Sequence, residues 1–387
     1  MRDGYRILDA DRHVLEPIEM WKEYLEPAYR DHAPYLEPAV VTETQQQRVE
    51  RLGALGLLPA PPTLMIDGQP IMHPLSERAR LELLVEKYNR GGELRAAMAP
   101  EGQLAVMDRD GIDVAFLYPG VATYVIGIDD LEPGLAGALA RAYNNWLRDF
   151  CCRDPARLQG VGLMSAHDPD EMLTELERVA GFGWRAVVLR PNPVKGRLLS
   201  DRAYDRFWTA CERLGMAVAI HEGAYTRLPT TGADRFKSLF ALHACSHPME
   251  QMMALLALVE GGVLERHPAL RVAFLEAGCG WLPYWLFRLD EIEYKHLGGE
   301  VEENVRVRPS SYFQRQCFIS FEPDEPYLGD VLRYIGEDKL LFGTDFPHCD
   351  HDGDIAGRFP MLRERLPESA LRKVLWDNAA RFYGLNG

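Results

Sequence analysis

Eight short strand-forming runs recur along this chain, and most of them stop on polar residues. They are YRILDADRH, DVAFLYP, RLQGVGLMS, WRAVVLRPN, MAVAIHEG, LRVAFLEAG, CFISFEP and LLFGTDFPH, opening at Tyr5 and closing at His348. Helix-compatible stretches separate most of them, among them residues 135–152, 169–181, 204–215 and 249–260. Strand runs that alternate with amphipathic segments specify parallel strands joined by crossover helices. The expectation is an α/β fold, a (β/α)8 TIM barrel. An open doubly wound sheet would carry a Gly-rich phosphate turn after its first strand. Here DADRH stands in that place.

A barrel takes up residues 1–387 as a single domain, with one interruption. Residues 17–105 break the alternation with WKEYLEP, QQQRVER, PAPPT and a hairpin signal at Ile66-Asp67-Gly68. This stretch reads as an insertion after the first strand. It is either a lid that excludes water from the barrel mouth, or a surface excursion or oligomer contact. A shorter loop, 224–246, follows the fifth run and belongs to the same rim.

Composition removes several function classes. With 47% hydrophobic residues the chain can build a large core, and no apolar run is long enough to span a membrane. The start, MRDGYRILDADRH, lacks the basic-then-apolar pattern of a secretory signal, so a cytoplasmic location is expected. A formal charge of −15 opposes nucleic-acid binding, which needs clustered Lys and Arg. Seven cysteines without a CxxC spacing argue for reduced, mostly buried thiols rather than a disulfide framework or structural zinc.

Polar groups gather at the C-terminal ends of the runs: His13, Arg190, His221, Glu276, Glu322 and Asp345. In a (β/α)8 barrel that end carries the chemistry. Asp11 and His13 lie two apart on an extended run, so their side chains face the same way. Asp9 extends that face and could orient a ligand from behind. His221 ends AVAI, and Asp345 follows LLF with small neighbours that permit close approach. Taken singly, each is equally explained as a rim residue. Jointly, Asp11, His13, His221 and Asp345 offer imidazole nitrogen and carboxylate oxygen from three strand ends. That set suits one divalent metal ion, Zn²⁺ or Mn²⁺, with Fe²⁺ also compatible.

Other candidates surround this set. Glu276 is a ligand, a general base or a structural acceptor. His243 and His247, four apart, share a helix face; His247 either serves as acid or base or packs near Pro248. Arg190 either clamps a substrate carboxylate or makes a structural ion pair. His348 could donate to substrate, and Asn192 and Tyr118 complete the group. No GxSxG supports a serine nucleophile. Neither Cys245 nor Cys279 has an activating context, and Gly278-Cys279-Gly280 is too short for a phosphate cradle.

Several longer segments together carry a resemblance: DADRHVLEP, LAVMDRDGIDVAFLYP, RAVVLRPNP, AVAIHEG, GGVLERHPALRVAFLEAGCGW, LLFGTDFPH and WDNAARFYGL. In order and spacing they resemble the amidohydrolase-related group that includes aminocarboxymuconate semialdehyde decarboxylase and the resorcylate decarboxylases. The resemblance implies a (β/α)8 barrel with one divalent metal. Asp11-Arg12-His13 stands where that group offers HxH or ExH, His221 matches its strand-five His, and Asp345 matches its strand-eight Asp. Many relatives then carry a catalytic His after strand six, in a run like AHGGG. This chain has Glu276-Ala277-Gly278-Cys279-Gly280 there. The task of that His passes to Glu276 or to His247, or else Glu276 binds the metal and favours Mn²⁺ or Fe²⁺.

Three functional readings follow. The first is non-oxidative decarboxylation of a small aromatic or unsaturated carboxylic acid, with Asp345, Glu276 and His247 as catalytic residues and Arg190, His348 and His243 touching substrate. The second is metal-dependent hydrolysis of a lactone, an amide or a C–C bond. The third is an inactive barrel that serves as a binding or scaffold protein. A small-molecule carboxylate or lactone is the expected partner, with no nucleic acid and no membrane. WLPYWLFRLDE supplies either a homodimer contact or ordinary helix packing.

Overall fold

The computed structural model describes residues 2–38, 62–71, 91–222, 227–348 and 355–385. Eight strands form one sheet in sequential order: β1 Leu8–His13, β2 Val114–Tyr118, β3 Leu158–Leu163, β4 Ala186–Leu189, β5 Ala217–His221, β6 Val272–Leu275, β7 Cys317–Phe321 and β8 Leu340–Phe342. Each recorded neighbour pair is parallel. The sheet closes just beyond β8, where the Asp345 amide donates to Asp11 O at 2.8 Å and the His13 amide donates to Phe346 O at 2.7 Å. The expected (β/α)8 barrel is therefore the observed fold.

Strand identity follows from burial on both faces. Every residue of β5, AVAIH, is buried, because side chains alternate between the barrel interior and the helical layer. The crossover helices carry their own start and stop signals. Asp168 caps Pro169–Gly181 by accepting from the amides of Asp170 and Glu171, with Pro in the first turn. Asp205–Leu214 stops at Gly215, whose φ of 65° suits a residue without Cβ. The stretch expected at 249–260 is longer, Leu239–Glu260, and so brings His243 and His247 into one helix.

Part of the expected insertion is described. Thr63–Ile66 and Gln69–Pro70 pair antiparallel, and Tyr35–Glu37 adds a third strand. The turn at Asp67 and Gly68 has φ of 48° and 74°, the two positive values a two-residue type I′ hairpin requires. QQQRVER, most of PAPPT, and 224–226 of the rim loop lie outside the described residues. Helix Pro100–Asp110 crosses position 105 and packs Gln103, Val106, Met107 and Asp110 inward at helical spacing.

No helix among the described residues is long and apolar enough to cross a membrane. Among the described residues six cysteines are free, five of them buried. In WLPYWLFRLDE, Trp281, Leu282, Leu286 and Leu289 are buried, whereas Tyr284 and Phe287 are exposed.

Candidate metal centre

The site is built from four strand ends. In β1 the pairing to β2 runs Asp9↔Ala115 and then Arg12↔Leu117, so the register shifts by one residue. Beyond the shift Asp11 and His13 converge, and Arg12 goes elsewhere, bonding Gln103 through Nε at 2.6 Å and lying over the Phe346 ring. His13 Nδ1 is 2.9 Å from the carbonyl of Pro119. A carbonyl only accepts, so Nδ1 carries the proton and Nε2 presents a lone pair, as metal-ligating imidazoles do. Glu16 fixes that carbonyl's loop by accepting from the amides of Gly120, Val121 and Ala122.

β5 and β6 supply His221 and Glu276. Gln251 ties their ends together, donating from Nε2 to Ile220 O and Leu275 O. Glu276 has φ 50°, and its amide donates to Ser320 Oγ. Asp345, beyond β8, has φ 49°. A left-handed backbone is unfavourable for residues with a Cβ, and both cases lie where carboxylates must be aimed inward. Gly343 is needed beside them, since a Cβ there would sit 2.6 Å from Asp11 Cβ.

Asp11, His13, His221 and Asp345 are buried, and the Glu276 side chain is 7% exposed. His13 Nε2 lies 3.5 Å from Asp11 Oδ1, 3.7 Å from Glu276 Oε2 and 3.1 Å from Asp345 Oδ1. His221 Nε2 lies 3.4 Å from Asp11 Oδ1 and 2.9 Å from Glu276 Oε2. Donor atoms bound at about 2.1 Å to one ion stand roughly 3.0–3.4 Å apart, depending on coordination number. Among the described residues, Asp11 Oδ1, His13 Nε2, His221 Nε2 and Glu276 Oε2 are buried without a hydrogen bond. Four converging unsatisfied atoms would be costly in a finished core and are what a cation would satisfy. These residues fit a divalent ion.

Electrostatics agrees. Burial disfavours the His221 imidazolium, yet the Asp11 and Glu276 carboxylates lift its pKa to about 10. Burial alone would raise Glu276, but the neighbouring His221 and His348 hold it well below the usual carboxylate range. The field that draws a proton onto His221 also draws a metal ion, which requires the deprotonated nitrogen.

The remaining candidates divide. His247 Nε2 and His348 Nδ1 each lie 3.6 Å from Glu276 Oε1, and His348 Nδ1 is 2.8 Å from Asp345 Oδ1. His243 stacks on His247 with ring centroids 4.3 Å apart. Arg190 bonds Glu222 at 3.0 Å in a buried pair. Asn192 donates to Pro229 O. Tyr118 stacks near His221 and bonds the Tyr383 hydroxyl at 2.7 Å. Asp9 faces Thr344 and Arg12, joining β1 to the β8 end. The GCG turn holds a carboxylate, since Glu325 accepts from the amides of Cys279 and Gly280. Burial and Glu325 push the Cys279 thiol up, away from nucleophile chemistry. Gln103, Glu222, Gln251, Ser320 and Thr344 were not singled out from sequence. A cavity of about 410 Å³ lies elsewhere, by the small sheet, lined by Tyr29, His32, Ile66 and Arg227 among others.

The family profile described as Amidohydrolase matches residues 10–385, nearly the whole chain. The chain belongs to the amidohydrolase family. This family member is 25% identical over 295 residues to 2-amino-3-carboxymuconate-6-semialdehyde decarboxylase of Dictyostelium discoideum, covering 74% of this chain and 77% of that one. It is 24% identical over 321 residues to gamma-resorcylate decarboxylase of Polaromonas sp., covering 76% and 90%. Its fold is similar, with a TM-score of 0.69 at 19% identity, to 5-carboxyvanillate decarboxylase of Novosphingobium aromaticivorans complexed with manganese and 4-hydroxy-3-methoxy-5-nitrobenzoic acid; 99% of this amidohydrolase and 97% of that chain are covered.

Proposed function

We propose that this chain is a divalent-metal-dependent decarboxylase of a small aromatic or unsaturated carboxylic acid. The observation that carries the metal is the convergence of buried, unsatisfied donor atoms from Asp11, His13 and His221 beside Asp345. Decarboxylation is preferred because the relatives reported above are decarboxylases.

Asp11, His13, His221 and Asp345 would hold the ion. When bound there, it supplies Lewis acidity toward a substrate carboxylate or adjacent hydroxyl. His13 is kept in the ligating tautomer by Pro119 O, so its proton stays out of the reaction. Arg190, oriented by Glu222, is assigned to the far end of the substrate, with His243 and His348 on the rim. His247, beside Glu276 Oε1, is assigned delivery of a proton to the carbon as CO2 leaves.

Segment 17–105 is proposed to cover the mouth. Its described part supports this: Gln103 donates to His13 O at 2.8 Å, and Ala97 packs with Phe346 beside Asp345. A homodimer through the face bearing Tyr284 and Phe287 belongs to the same proposal; light scattering should give twice the chain mass, and a monomer mass removes it.

The test is a screen of carboxylic acids and lactones with product mass as readout. A product lighter by about 44 mass units, the mass of CO2, is expected; one heavier by about 18 establishes hydrolysis by the same donors instead.

A further inference from the structure

We infer that Glu276 is itself a metal ligand through Oε2, giving a shell of two imidazoles and three carboxylates. This rests on the reading of the strand ends as a metal centre. Glu276 Oε2 and His221 Nε2 are 2.9 Å apart, yet both atoms lack a hydrogen bond among the described residues. They therefore lie side by side rather than donor to acceptor. Two buried polar atoms held that close, with no hydrogen bond satisfying either, are what a cation lying against both would satisfy. His13 Nε2, whose proton sits on Nδ1, makes the same approach to Oε2 at 3.7 Å.

The backbone supports the assignment. A Glu in the left-handed region is unfavourable, and here it is held by the bond from its amide to Ser320 Oγ and by the Gln251 clamp on Leu275 O. The strain turns the carboxylate inward, toward atoms from β1 and β5. Its other oxygen, Oε1, faces His247 and His348 at 3.6 Å each. Glu276 would thus bridge the ion and the His247 and His348 imidazoles, and it is a positioning residue for those two.

Three carboxylates among five donors shift the site toward harder cations. Oxygen-rich shells suit Mn²⁺ and Fe²⁺ relative to Zn²⁺, whose preference is for nitrogen and sulfur in four-coordinate sites. The inference is therefore also one about metal selectivity.

The experiment is equilibrium dialysis of metal-free protein against Mn²⁺ and Zn²⁺ separately, for wild type, Glu276→Gln and Glu276→His, with circular dichroism to confirm folding. Glu276→Gln should weaken Mn²⁺ by more than about 100-fold, beyond the roughly 10–100-fold that loss of a supporting contact costs. Glu276→His should keep an ion while moving the Zn²⁺-to-Mn²⁺ affinity ratio toward Zn²⁺ by at least about tenfold. A loss of Mn²⁺ affinity of about 100-fold or less in Glu276→Gln, the range of a supporting contact, overturns the inference while leaving the metal centre standing. Failure of wild type itself to bind either ion overturns both. The readout is binding, so it stands apart from whether the reaction is decarboxylation.

Discussion

Asp345→Asn is expected to lower turnover by about 10³-fold or more while leaving the fold in place. The two halves of this expectation have separate causes. Structurally, Asp345 works through its backbone: its amide closes the barrel on Asp11 O, and its φ of 49° is one that Asn adopts readily. The side-chain amide is nearly isosteric, so packing against His13 and His348 is preserved. Chemically, the change removes one of three negative charges gathered around Nε2 of His13. It also places an NH2 donor where an anionic oxygen stands 3.1 Å from that nitrogen. In metal-free protein, Tm should stay within about 4 °C of wild type, since relief of carboxylate repulsion offsets a weaker pair with His348. Steady-state kinetics beside a thermal melt checks both halves. Activity within tenfold of wild type would remove Asp345 from the reacting centre.

His221→Ala should abolish stable metal binding. The imidazole is one of the two nitrogen donors assigned to the ion, and its Nε2 lies 3.4 Å from Asp11 Oδ1 and 2.9 Å from Glu276 Oε2. Loss of a direct ligand should exceed the roughly 10–100-fold that loss of a supporting contact costs. Part of the packing is also lost, since the ring meets His13 edge-on at 4.9 Å and lies near Tyr118. Metal content after dialysis is therefore the deciding number, and the melt reports packing. Full occupancy in the variant would take His221 out of the ligand set.

The barrel was legible because the strands are runs buried on both faces, and several crossover helices are amphipathic stretches with recognisable ends, such as the Asp168 cap and the Gly215 stop. Those signals are local, so β1 to β8 fall inside the eight runs read from sequence. The proximity of Asp11, His13, His221 and Asp345 was legible for a related reason: strand ends in a parallel barrel share one mouth. What sequence withheld was orientation. Nothing in FLEAG or GTDFP announces that Glu276 and Asp345 adopt left-handed backbone, and that twist decides where their carboxylates point. Arg190 was open between a substrate clamp and an ion pair; the pair with Glu222 is present. Asp9 faces Thr344 rather than the ligands, because the register shift in β1 breaks the simple alternation that links it to Asp11. The braces were invisible. Gln103 reaches His13 across 90 residues, and Gln251 joins two strand ends it does not adjoin in sequence. Periodicity reports which face is buried, never which distant partner waits there.

Glu276 shows the difference most plainly. Its position after strand six left it open as a metal ligand, a general base standing in for a catalytic His, or a structural acceptor. Its coordinates put one oxygen among the ligand atoms and the other toward His247 and His348.

Metal analysis of the purified chain, after reconstitution with Mn²⁺ or Zn²⁺ and removal of excess ion, tests the centre most directly. About one tightly held divalent ion per chain is expected, lost when His221 is replaced. A content well below one with both ions would contradict the centre and leave the barrel as a binding or scaffold protein.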